Sequence, residues 1–116
     1  RVKKVWDACL AELDTTVLAG HFHNTYGMAI ANIYQSLLQG IRVFDSSIAG
    51  LGGCPYAKGA SGNVSTEDLY YLLSNMGYET GIQLDALMQA SRNIGNVLQR
   101  NNPSNYANAY WQKACA

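Results

Sequence analysis

The spacing of apolar residues changes period several times along the chain, and each change marks an element. Val2, Val5, Trp6, Cys9, Leu10 and Leu13 recur as one helical face, which predicts a helix over 2–13. Cys9 on that face reads as a small buried hydrophobe. "TTVLAGHFHN", residues 15–24, is β-branched and apolar at first and then polar. It predicts a buried strand whose far end reaches a site. Ile30, Ile33, Tyr34, Leu37 and Leu38 predict a second helix over 28–38, with Gly40 as its stop. "IRVFDSSI" from Ile41 is the next strand, and the glycine-rich "GLGGCPYAKGASGN", residues 50–63, follows it. A third helix lies in "STEDLYYLLSNMG", with Ser65 as N-cap, Asp68 at capping-box distance and Gly77 as stop. A fourth runs over 84–100, weakened by Gly95. The tail after "NNPSN" has no element that its pattern identifies.

Helix, strand, helix, strand, helix, helix is the order of an α/β fold with parallel strands and crossover helices. Two strands leave sheet edges uncovered, and a complete TIM (β/α)8 barrel needs about 250 residues. The 116 residues here supply less than half of one. The expectation is a single incomplete domain over 1–116, the C-terminal, closing part of a TIM barrel whose upstream strands lie before Arg1. The start at Arg inside a helical pattern points the same way.

The chain is 48% hydrophobic and only 14% charged, and its eight basic and eight acidic residues cancel. Only Arg1, Lys3 and Lys4 cluster. Nothing in that distribution tracks a nucleic-acid backbone or an anionic membrane. No apolar run approaches the roughly 20 residues that span a bilayer, and no signal-peptide pattern opens the chain. Cys9, Cys54 and Cys115 are odd in number and far apart. They form neither a disulfide framework nor a zinc knuckle, which favours a reducing compartment.

The chemistry concentrates at two places. His21 and His23, the only histidines, stand at i and i+2, so on a strand both imidazoles share one face. They fall at the C-terminal strand end, where parallel barrels build their sites, and imidazole is a common metal ligand. A pair of solvated histidines is the plain alternative. Asn63 offers a carbonyl oxygen, or serves only as a cap or turn residue. Cys54 stands in the glycine loop, where packing is a poor reason for a cysteine. It is an acid, base or nucleophile that swings over a site, or an incidental surface thiol. Asp45, Ser46 and Ser47 read as anchors of the loop backbone. Tyr70 and Tyr71 read as packing, and Lys58 as a solubilising charge.

"GHFHNTYGMAIAN" and "FDSSIAGLGGCPYAKGASGN" closely resemble the hydroxymethylglutaryl-CoA lyase family, over about Leu18 to Arg100. His-x-His-Asn is shared with related barrel enzymes that make or break carbon–carbon bonds. The glycine loop is more specific, because isopropylmalate and homocitrate synthases generally lack its Gly-Gly-Cys-Pro core. The resemblance implies a divalent cation, magnesium or manganese, held by His21, His23 and Asn63. It implies a catalytic Cys54, with His21 also near the proton transfers, and a flexible loop hinged on Gly50, Gly52, Gly53, Gly59 and Gly62. The implied substrate is an acyl-CoA, cleaved to acetyl-CoA and acetoacetate in leucine degradation and ketone-body formation. A homodimer is implied, in the cytosol of a bacterium or the mitochondrial matrix of a eukaryote. The family's first-strand aspartate and arginine have no counterpart here, so the isolated chain is expected to be inactive. Cys115 resembles a redox-sensitive tail cysteine of some relatives, without aligning well. The alternatives are a condensing enzyme of the same barrel type and a non-catalytic fragment.

Overall fold

The computed structural model describes residues 1–53, 56 and 59–114. Its elements are α1 (Val2–Leu10), β1 (Gly20–His21), α2 (Ala29–Leu38), β2 (Phe44–Asp45), α3 (Thr66–Asn75), α4 (Leu84–Leu98) and α5 (Asn105–Ala114). β1 and β2 pair in parallel, with Gly20 opposite Phe44 and His21 opposite Asp45. A β1–α2–β2 unit is thus the heart of the chain, as the alternating pattern predicts.

Packing follows the helical stripes. Ala29, Ile33 and Leu37 of α2 meet Val64 and Leu69 in a buried cluster, flanked by Phe22 and Phe44 from the strand ends. A Cβ on Gly20 would stand 2.7 Å from the Phe44 ring and 2.8 Å from the Phe22 ring. Glycine there lets both rings close over the sheet. Trp6 donates its indole N–H to Ser36 Oγ at 2.6 Å, and Ser36 donates onward to the Asn32 carbonyl at 2.7 Å. That chain satisfies two buried polar groups and fastens α1 to α2.

The molecule measures 48 × 36 × 19 Å with a radius of gyration of 15.1 Å. A compact domain of this length would have about 13 Å. The chain is therefore a flattened wedge, and apolar residues beside the sheet stay open: Val17 is 69% and Val43 54% exposed.

Several expectations change. α1 ends at Leu10, and Leu13 is exposed. Cys9 is half-buried rather than buried. The predicted strand over 15–24 is a 3-10 turn at Thr15–Val17, capped by Asp14, followed by two strand residues. Its only ladder partner among the described residues is β2, so it lacks the second neighbour that would extend and bury it. The unassigned tail forms α5. Ser104 Oγ accepts from the Ala107 N–H, and Asp68 accepts from the Tyr106 N–H and the Ser104 hydroxyl. Asp68 also accepts from the Ser65 hydroxyl at the start of α3, so one carboxylate joins two helix N-termini.

Candidate functional site

The histidines stand where the strand pattern puts them. The rings of His21 and His23 lie 5.3 Å apart, centroid to centroid, at an interplanar angle of 61°. Two imidazoles sharing one cation at about 2.1 Å place their centroids roughly 4.5–5.5 Å apart. His21 Nδ1 lies 3.2 Å from Asp45 Oδ2, its direct partner across the parallel ladder. His23 Nδ1 lies 3.0 Å from the Ser61 carbonyl oxygen. Both partners only accept, so each neutral ring carries its proton on Nδ1. The lone pair of each Nε2 is then left for a ligand, as in histidines that bind metals.

Asn63 reaches this place through the return of the loop. It pairs with His23 in an antiparallel bridge, in which Asn24 N–H donates to the Gly62 carbonyl and Val64 N–H to the Phe22 carbonyl. The Asn63 amide donates Nδ2–H to the Leu51 carbonyl at 3.0 Å. Its Oδ1 is buried and meets no hydrogen-bond donor among the described residues. A buried acceptor without a donor is costly in an apo protein and is what a cation would satisfy. Among the described residues no three His, Cys, Asp or Glu side chains converge on one point. Two imidazole nitrogens and the Asn63 amide oxygen, brought into one region by the His23–Asn63 bridge, are donors that would suit a divalent cation of intermediate hardness.

The loop's glycines divide into two groups. Gly50 (φ +56) and Gly62 lie back to back, and a Cβ on Gly62 would enter the Gly50 carbonyl. A Cβ on Gly52 (φ +104) would stand 2.7 Å from Asn63 Nδ2. At these three a Cβ would meet close neighbours, so the loop's two strands approach tightly at its neck. A Cβ built on Gly53 or Gly59 meets no atom of the described residues within 4 Å. Ser47 donates its hydroxyl to the Leu51 carbonyl at 2.6 Å, and so anchors the loop as expected. Ser46 instead shares a hydrogen bond with Thr66, and Asp45 holds His21 rather than the loop. That role is legible only once the register is known. Cys54, Lys58 and Cys115 lie outside the described residues. Tyr71 packs on Tyr106 at 4.7 Å between ring centroids, as a packing residue should.

Two cavities matter for placement. One of about 220 Å³ opens beside the neck, lined by Asn24, Ser61, Asn63 and Asp68 among others. The larger, about 740 Å³, lies between α3 and α5, and neither cavity is lined by His21 or His23.

Residues 1–94 match the family model described as HMGL-like. A 3-hydroxy-3-isohexenylglutaryl-CoA/hydroxymethylglutaryl-CoA lyase of Pseudomonas aeruginosa is 54% identical over 112 residues, 97% of this chain and 37% of that protein. The mitochondrial hydroxymethylglutaryl-CoA lyase of Bos taurus is 49% identical over 93% of this chain and 33% of its own length. A crystal structure of the Pseudomonas aeruginosa lyase superposes with a TM-score of 0.91 at 53% identity, over 97% of this chain and 37% of that one. An Acinetobacter baumannii HMG-CoA lyase, solved with coenzyme A and 3-methylmalate, superposes at 0.87 with 42% identity, over 93% of this chain and 35% of its own. The chain thus spans about a third of the length of these relatives, and it belongs to the HMGL-like family of TIM barrels.

Proposed function

We propose that this chain is the metal- and loop-bearing part of a carbon–carbon lyase that cleaves 3-hydroxy-3-methylglutaryl-CoA to acetyl-CoA and acetoacetate. The observation that carries this reading is that two Nδ1-anchored histidines stand beside Asn63, which bridges to His23 and whose buried Oδ1 meets no donor among the described residues. The similarity to lyases over nearly the whole chain supports it. We further place the chain late in the barrel. After β2 the described residues form three helices and no third strand, whereas a βα unit of a barrel takes about 30 residues.

In this reading His21, His23 and Asn63 hold a magnesium or manganese ion. When bound, it supplies positive charge that lowers the pKa of the substrate's tertiary hydroxyl and steadies the developing oxyanion. Asp45 and the Ser61 carbonyl accept from Nδ1 of each imidazole, so the neutral tautomer they select presents the Nε2 lone pair. The pinched neck holds Asn63 against His23. Loss of the hydroxyl proton turns the C–O bond into a ketone as the adjacent carbon–carbon bond breaks. The electron pair passes to the acetyl-CoA enolate, which takes back one proton. Cys54 is the donor of that proton, with His21 close to the transfer, and the segment around Cys54 excludes water during it. The protein is a homodimer in this reading. Its compartment follows its host, a bacterial cytosol or a mitochondrial matrix.

The test uses the full-length protein. Chelator-treated protein should release no acetoacetate from 3-hydroxy-3-methylglutaryl-CoA and should regain turnover with Mn²⁺ or Mg²⁺. Turnover that survives chelation removes the cation, and no cleavage at saturating cation removes the lyase reading.

A further inference from the structure

The proposed reaction leaves one buried ionisable group unused. Glu67 is fully buried in the first turn of α3. Its two carboxylate oxygens accept from the Ala49 N–H at 2.9 and 3.2 Å. One also accepts from the Ser91 hydroxyl of α4, and Ser91 accepts from Asn102 Nδ2 at 2.6 Å. On the other side of Ala49, its carbonyl accepts from Arg100 Nη2 at 2.9 Å. A buried carboxylate and a guanidinium thus hold the two peptide groups flanking one residue.

That residue is in an unusual state. Ala49 is buried, with φ 53 and ψ 27, a left-handed conformation that a Cβ disfavours. Such a conformation persists only where its surroundings over-determine it. The next residue is Gly50, which backs against Gly62 and whose own Cβ would stand 3.2 Å from the Asn63 carbonyl. Two residues on is Leu51, whose carbonyl accepts from the Asn63 amide. A change at Ala49 therefore moves both walls of the neck.

We propose that Glu67 is a positioning residue for the candidate site: its buried carboxylate, opposed by Arg100, holds Ala49 left-handed and so aims the Asn63 amide. The proposal deepens the reading of Asn63 as a cation ligand and rests on it for one of two measurements. The first measurement is Mn²⁺ affinity by calorimetry. The second is the rate of protease cleavage within 51–62, which needs no cation.

In the full-length protein, Glu67→Gln keeps the volume and removes the charge. Charge-assisted hydrogen bonds are roughly twice as strong as neutral ones. The expected result is about tenfold weaker Mn²⁺ binding and about tenfold faster cleavage, the change that one such bond carries. Glu67→Gln/Ala49→Gly should recover much of both losses, because glycine adopts φ 53 without steric cost. A packing role for Glu67 predicts no such rescue. Should Glu67→Gln lose its cooperative melt, Arg100→Met opens the same clamp from its exposed side and should respond to Ala49→Gly in the same way. Mn²⁺ affinity and cleavage within twofold of wild type, or a failed rescue, overturns the proposal. If Asn63→Ala leaves Mn²⁺ affinity unchanged, the ligand reading falls, and the cleavage rates alone decide on the clamp.

Discussion

Asp45 Oδ2 lies 3.2 Å from His21 Nδ1, and the two residues are direct partners in the parallel ladder. The register of two strands thus fixes which nitrogen of His21 carries the proton. An anchored imidazole loses less rotational freedom when it binds a ligand, and it presents Nε2 in one direction.

Asp45→Ala should therefore weaken Mn²⁺ binding about 10- to 100-fold, the range seen for partners of metal-bound histidines. Stability should change little, because both side chains are more than half exposed. Calorimetric titration of the full-length variant checks the first claim, and its urea midpoint the second. An affinity within twofold of wild type would make the pair a surface contact of no consequence to the site.

The loop glycines give a second, graded prediction. Gly62→Ala drives a Cβ into the Gly50 carbonyl, where only backbone can yield. Overpacking of this kind costs about 1–3 kcal/mol or more. Gly53→Ala meets no atom of the described residues and should be close to neutral. Gly59→Ala also meets none of them but must adopt φ +82, which costs roughly 1 kcal/mol. Denaturant unfolding of the three variants should rank them in that order of damage, Gly62 first and Gly53 last. Equal losses at all three would show that close approach does not set the requirement for glycine here.

Much of this was legible in the chain because it depends on local periods. α2 and α3 carry their stripes and stops in consecutive residues, with Gly40 and Gly77 both at positive φ. The shared face of His21 and His23 follows from a period of two. What local pattern could not carry was partnership across distance. α5 begins on Asp68, 36 residues before its cap Ser104. β1 is short because a single neighbour supports it. Asp45 looked like a loop anchor because sequence order places it next to the loop, while the parallel register places it beside His21. Nothing in the local pattern singles out Glu67, a first-turn acid of α3 that the fold makes the buried partner of Ala49. The close approach of Gly62 to Gly50 likewise joins residues twelve apart and leaves no mark in the local pattern.

Cys54→Ser in the full-length protein tests the acid of the proposed reaction. A serine hydroxyl is a far weaker acid than a thiol, so proton delivery to the enolate should slow by about 10²–10⁴-fold, the usual contribution of a general acid. KM should move less than kcat, since the thiol acts in the transition state. Alkylation of the wild-type thiol should slow when substrate is bound. A kcat within twofold of wild type at saturating cation would leave Cys54 an incidental thiol.

Asn63→Asp separates the two tasks of one side chain. In the wild type Nδ2–H is spent on the Leu51 carbonyl and Oδ1 meets no donor among the described residues. The aspartate loses the donor and sets a carboxylate oxygen against that carbonyl oxygen, so the apo protein should lose about 1–3 kcal/mol, the cost of a buried acceptor left unpaired. At about 2–4 °C per kcal/mol for a mid-sized domain, its melting temperature should fall by several degrees. The same change adds a full negative charge where the cation is proposed to sit, so Mn²⁺ should bind more tightly and stabilise the variant more than the wild type. Turnover should nevertheless fall, because the neck no longer aims the ligand oxygen through Leu51. Thermal melts of both proteins with and without Mn²⁺ decide the matter. A variant that melts like wild type without the ion shows that Leu51 does not hold the amide. One that gains no more from Mn²⁺ than wild type shows that position 63 does not face the cation.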